Sequence, residues 1–139
     1  RDDVESRGLG DVYKRQLRAF HIYADNQRVA RQVNALRAGD FETFLQLVNE
    51  SGTSSWEYLQ NVIPAGYKEH QEVAVTIAAA KHFLNGAGAV RVHGGGFAGT
   101  VQAFVPLKKL DAFKAEMEAI LGAGKCHILS IRPEGGAVL

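Results

Sequence analysis

Apolar residues recur at helical intervals as far as Leu84, at every second position in 89–93 and 100–105, and again at helical intervals over 107–121. A 3.6-residue period buries one stripe of a helix, and a period of 2 buries one face of a strand. A chain that changes period in this way is an α+β chain whose helices must find their apolar partner on a short sheet. With only the glycine-rich stretch 94–99 between them, the two strand-like runs are expected to pair as an antiparallel hairpin.

The rest of the expected architecture follows from stripes and caps. A first helix is expected over 17–38, with Ile22, Val29, Val33 and Leu36 on its buried stripe and Asn26 among them as a satisfied buried amide. Gly39 suits a left-handed cap, and Asp40 can then N-cap a second helix with Phe41, Phe44, Leu45 and Val48 on its inner face. Ser51, Gly52, Thr53, Ser54 and Ser55 read as a polar connector whose hydroxyls serve capping and turn chemistry. Trp56, Tyr58 and Leu59 form a short amphipathic piece, with the two rings as core, which Pro64 and Gly66 close. A third helix over 67–84 carries Val73, Ile77, Ala80 and Leu84, and a fourth over 107–121 carries Leu110, Phe113, Met117 and Ile120. The last run, 126–133, alternates Ile128 against Leu129 and Ile131 and reads as a final strand. The whole is expected to be a small antiparallel sheet with helices packed on one face.

At 139 residues the chain suits a single domain with a real core. A net charge of +1 implies neither a nucleic-acid nor a membrane partner. The one cysteine, Cys126, cannot form an intrachain disulfide, reads as a core residue and fits a reduced, cytoplasmic setting. No secretory signal or membrane span is legible. The five histidines have no spacing that suits a metal, so no metal site is expected. Residues 1–16 show no period and resemble the translated adapter read-through attached to some genes assembled from environmental DNA. They are set aside as a non-native or disordered tail, which leaves 17–139 as the domain.

The stretch VRVHGGGFAGTVQAFVP holds the sharpest functional signal. Gly94, Gly96 and Gly99 match the spacing of a dinucleotide-binding loop, but a strand follows instead of the helix that would receive the pyrophosphate. Val101 extends the match to a protein-kinase glycine loop, yet the catalytic and metal-binding motifs of that fold are absent. No Gly-Lys-Ser/Thr follows, as a Walker loop requires. A plain turn remains. Four glycines within 94–99 are nevertheless more than a turn needs, and each costs about 0.5–1 kcal/mol in conformational entropy relative to alanine. Close approach of another backbone or an anion would offset that cost.

The same stretch resembles the third motif of the GHMP superfamily of small-molecule kinases in its galactokinase form, commonly Gly-Gly-Gly-Phe-Gly-Gly. RAFHIYADNQRV, starting at Arg18, is similar to that family's R-A-x-H-x-x-x-E-N-x-R-V helix. ALRAGDFETFLQLVNESGTSS, starting at Ala35, resembles the segment that follows, and CHILSIRPEGGA the closing strand. The resemblance implies a GHMP kinase C-terminal domain and, for the complete enzyme, phosphorylation of galactose at its anomeric hydroxyl by ATP with Mg2+. The sugar-binding cluster, the catalytic aspartate and the serine-rich phosphate loop of that family belong to its N-terminal part, and none of these motifs occurs here. This chain alone is therefore expected to lack catalytic residues, to bind no cofactor and to be inactive, with galactose and ATP held by the N-terminal part. Gly94, Gly95, Gly96, Phe97 and Gly99 would support the phosphate loop. His93, Ser54 and Ser55 would be cleft contacts, and the face around Phe97 and Ser51 to Ser55 would be exposed. His93 stands where threonine is common, Ala98 where glycine is, Asp25 where glutamate is and Gly52 where histidine is. A kinase for galactosamine, mevalonate or homoserine, or a non-catalytic sugar sensor, are the alternatives within this resemblance. The oligomeric state is left open.

Overall fold

The computed structural model describes residues 2–64, 66, 69–96 and 99–134, with side chains in the first helix from Val12 onward. Helix α1 (Asp2–Arg37) leads into α2 (Phe41–Ser54), which passes directly into a π-helical turn, Ser55–Leu59. Then come α3 (Glu72–Leu84), β1 (Ala89–Val92), β2 (Val101–Phe104), a short 3-10 turn (Leu107–Lys109) and α4 (Leu110–Leu121).

Local chemistry sets the joints. Gly39 adopts φ +71°, and the Asp40 carboxylate accepts a hydrogen bond from Thr43 N at 3.0 Å, so α1 ends and α2 begins where the cap residues require. Asn85, at φ +46°, ends α3 in the left-handed conformation that asparagine tolerates best after glycine.

β1 and β2 pair antiparallel, with Val90 opposite Ala103 and Arg91 opposite Gln102. Side chains alternate across the ribbon. Val90, Val92, Val101 and Ala103 face α3 and α4, where they meet Ile77, Ala80, Leu84, Phe113 and Met117 in the main core. Arg91 and Phe104 face the other way: Arg91 donates to Ser51 of α2, and Phe104 stacks edge-on against Phe44 at 5.5 Å. Asn49 of α2 also holds the outer edge of β1, accepting from Val90 N at 3.0 Å and donating to Gly88 O at 3.1 Å. The chain is α+β, as the change of period predicts, but its helices lie on both faces of the ribbon. The expectation of one covered face is corrected because a strand pair with apolar residues on both sides needs two covers.

The stripes of α3 and α4 are borne out at Val73, Ile77, Ala80, Leu84, Phe113 and Met117, while Ile120 is exposed and α3 starts at Glu72. On α2 the buried apolar residues are Leu47 and Val48, with Phe41 exposed. The polar connector is corrected: Ser51 to Ser54 complete α2, because three of these residues are buried against neighbours that only a helix presents to them.

Three further differences are larger. In α1 the predicted stripe is the solvent face, for Ile22, Val29, Val33, Leu36 and Asn26 are all exposed. The face packed on α2 carries His21, Asp25, Arg28 and Ala35 instead. The segment 2–16, read as a tail, is helical and continuous with the rest of α1, with Val12 and Tyr13 exposed. The predicted final strand over 126–133 is absent: the segment is irregular, and Leu129 and Ile131, 88% and 87% exposed, bury no face against the core that would hold a strand there. Cys126 is partly buried against the main core. Among the described residues no helix is long and apolar enough to cross a membrane.

Candidate functional site

The glycine turn caps the β1–β2 ribbon. His93 N donates to Thr100 O at 2.9 Å and Gly99 N to Gly96 O at 3.1 Å, which closes the two ends of the turn. His93 itself is exposed. Phe97 and Ala98 lie outside the described residues, so the expected exposure of Phe97 falls there too.

Two glycines separate the reasons for being bare. Gly96 has φ +90°, and a Cβ there would overlap the backbone oxygen of Asn61, so both conformation and space exclude a side chain. Gly95 is different: its φ is not left-handed, and a Cβ would meet none of the described residues within 4 Å. Nothing described in this chain requires a glycine at that point. The close approach inferred from the number of glycines is thus accounted for inside the chain at Gly96 and left open at Gly95.

Asn61 supports the turn from below. It is buried, its Nδ2 donates to Gly95 O at 3.2 Å and to Ser55 Oγ at 3.0 Å, and its Oδ1 faces the same hydroxyl at 3.2 Å. The preceding residue, Gln60, is left-handed at φ +53°, the twist that swings Asn61 from the π turn toward the ribbon.

Beside this lies a polar network between α1, α2 and β1. Asp25 accepts from Arg28 and from Ser51 Oγ, the latter at 2.7 Å, and Ser51 Oγ accepts in turn from Arg91. His21 Nδ1 shares a hydrogen bond with Ser54 Oγ at 2.9 Å, and its Nε2 lies 3.8 Å from Asp25. Burial lowers the pKa of His21, the Asp25 charge partly offsets this, and the Arg28 and Arg91 charges lower it further. Burial alone would raise the Asp25 carboxyl, but hydrogen bonds from Ser51 and Arg28, with the nearby positive charges, hold it below the usual carboxylate range.

Ser54 and Ser55 are both buried: Ser54 serves the His21 network and Ser55 serves Asn61 under the glycine turn. Ser54 also borders an open groove with Phe20, Arg28, Glu50 and Tyr58. Trp56 and Tyr58, read as core, are about a third exposed, at 37% and 38%. Asn61 escaped the sequence reading altogether, as no spacing relates it to the glycines. The network did have a signal, since His21, Asp25 and Arg28 follow one another at helical intervals and so share a face. Among the described residues no group of three or more His, Cys, Asp and Glu could hold a metal ion. What the turn offers chemically is backbone, with an open α-carbon at Gly95.

Comparison with known proteins adds the family. A galactokinase of Thermotoga neapolitana is 35% identical over 115 residues, 83% of this chain, and one of Glaesserella parasuis is 31% identical over 97 residues, 70% of this chain. The chain is homologous to galactokinases. A galactokinase of Mannheimia succiniciproducens is 30% identical over 94 residues, 68% of this chain. The chain spans 23% to 29% of the length of these galactokinases. No protein-family model matches it, and no solved structure matches it.

Proposed function

We propose that this chain is the C-terminal part of a galactokinase, a cytoplasmic enzyme in which the anomeric hydroxyl oxygen of galactose attacks the γ-phosphorus of ATP and the bond to ADP breaks. The similarity to galactokinases over 68% to 83% of the chain carries the reading. In it, residues 17–139 form the GHMP kinase C-terminal domain, and the glycine turn lies against the phosphate loop of the N-terminal part. The open α-carbon of Gly95 supports that role, because a partner that arrives from outside the chain would need it bare. The bare backbone of the turn fits the close approach of a phosphate loop. In this reading the metal, the sugar and the base that takes the hydroxyl proton are held by the N-terminal part, as the family resemblance implies. ATP would supply the transferred phosphoryl group there.

A chimera tests the reading. The matching stretch of the Thermotoga neapolitana galactokinase is replaced by residues 17–134 of this chain, and ADP release is followed with galactose. Galactose-dependent release from the chimera, with none from the 139-residue chain alone, is the expected result. A folded chimera that is inactive with galactose, or that works with galactosamine only, overturns it.

A further inference from the structure

The strand ladder does not by itself fix the glycine turn. Its ends are closed by His93 and Gly99, but Gly94 to Gly96 belong to neither strand, and glycine peptides rotate more freely than others. Asn61 holds the middle. Its Nδ2 donates to Gly95 O at 3.2 Å, and its backbone oxygen occupies the space beside Gly96 where a Cβ would lie. Asn61 is itself held, for it is 2% exposed and bound to the buried Ser55 hydroxyl.

The hold has a directional consequence. No described peptide is cis, and in a trans peptide the N–H points opposite to the preceding carbonyl. With Gly95 O drawn to Asn61, the Gly96 N–H points away from Asn61. One side-chain bond thus sets the plane of a peptide between two residues that have no side chains of their own. Asparagine is suited to this because one nitrogen reaches both Ser55 and Gly95 while its oxygen still faces Ser55. Aspartate has the same shape and no donor, so it would turn a carboxylate toward Gly95 O.

We infer that Asn61, braced by Ser55, is a positioning residue for phosphoryl transfer, orienting the Gly95–Gly96 peptide so that the bare side of the turn faces the phosphates and their loop. The inference rests on the kinase reading above. Because Asn61 acts through the turn, its loss should disturb ATP and leave galactose alone.

The test compares Asn61→Asp and Ser55→Ala in the 139-residue chain and in the chimera. In the chain, 15N order parameters of the Gly95 and Gly96 amides should fall from about 0.85 toward 0.6 in Asn61→Asp, with those of Val90 and Val92 unchanged. In the chimera, KM for ATP should rise about fivefold or more while KM for galactose stays within about twofold. Should a buried aspartate prevent folding, Ser55→Ala removes only the brace, and about a threefold rise in KM for ATP is expected. An unchanged turn in a folded variant, or the two KM values rising together, overturns the inference. A wild-type chimera that releases no ADP overturns the kinase reading, and the order parameters of the chain still decide whether Asn61 sets the turn.

Discussion

Gly52 of α2 lies so close to Arg91 of β1 that a Cβ on the glycine would sit 2.7 Å from the Cβ of the arginine and 3.2 Å from its Cα. The contact lets α2 lie flat on the ribbon and brings Ser51 within reach of Arg91. The histidine common at this point in the galactokinase motif cannot stand here unless α2 moves off β1. Two effects oppose each other in Gly52→Ala: a better helix former contributes about 0.5–1 kcal/mol, whereas overpacking against strand backbone costs about 1–3 kcal/mol. The clash should win. Urea denaturation is expected to give a net loss of about 1–2 kcal/mol, and an unchanged or higher midpoint would mean that the helix is free to lift.

The His21 network makes stability depend on pH in two separate windows. The unfolded histidine takes up a proton near its ordinary value of 6.5, while the folded one, lowered by burial and by Arg28 and Arg91, resists it. Stability is therefore full above pH 6.5, falls as the pH drops below it, and stops falling once folded His21 is also charged. Asp25 has its own window: its contribution is present above 3.8 and lost as the pH falls through its lowered folded value. Asp25 and Glu50 are the acidic groups of this cluster, and Arg28 and Arg91 are its fixed positive charges. The urea midpoint should decline between pH 7 and pH 5, and His21→Gln should remove about half of that decline or more. An equal decline in the variant would place its origin elsewhere.

How far the fold was legible in the sequence depended on what each element packs against. α3 and α4 bury apolar stripes in the main core, so their periodicity identified both the helices and their inner faces. α1 misled because its inner face is polar: His21, Asp25 and Arg28 are satisfied by Ser51, Ser54 and their own neighbours, and the apolar stripe was left outside. A rule that assigns apolar residues to the interior cannot see a helix docked through hydrogen bonds. The glycine turn was legible as a turn, and Gly96 as a close approach, but Asn61 was not, since its distance of 34 residues from Gly95 leaves no local pattern.

The C-terminal segment tests the same lesson from the other side. Ile128, Leu129 and Ile131 alternate like a strand, yet all are exposed. An exposed residue has little to lose, so Leu129→Ser should change stability by no more than about 0.5 kcal/mol. Ile77→Ala, in the core, should cost about 2–5 kcal/mol. The pair is measured by urea denaturation of the 139-residue chain. A loss above about 1 kcal/mol for Leu129→Ser would mean that the segment packs as the strand its alternation suggests.

Gly95 and Gly96 are adjacent and should respond oppositely to a single methyl group. At Gly96 the methyl meets Asn61 backbone and a left-handed φ, so Gly96→Ala should destabilise the chain by about 1–3 kcal/mol. At Gly95 it meets nothing among the described residues, so Gly95→Ala should leave the urea midpoint of the 139-residue chain unchanged or slightly raised. If the open side of the turn faces a phosphate loop, the same change in the chimera should lower kcat/KM for ATP about tenfold or more. Stability and activity then separate at one residue, which ordinary loosening of the turn cannot produce. A Gly95→Ala chimera with undiminished ATP kinetics would mean that nothing approaches the turn from that side, and the role proposed for the glycine run would fail with it.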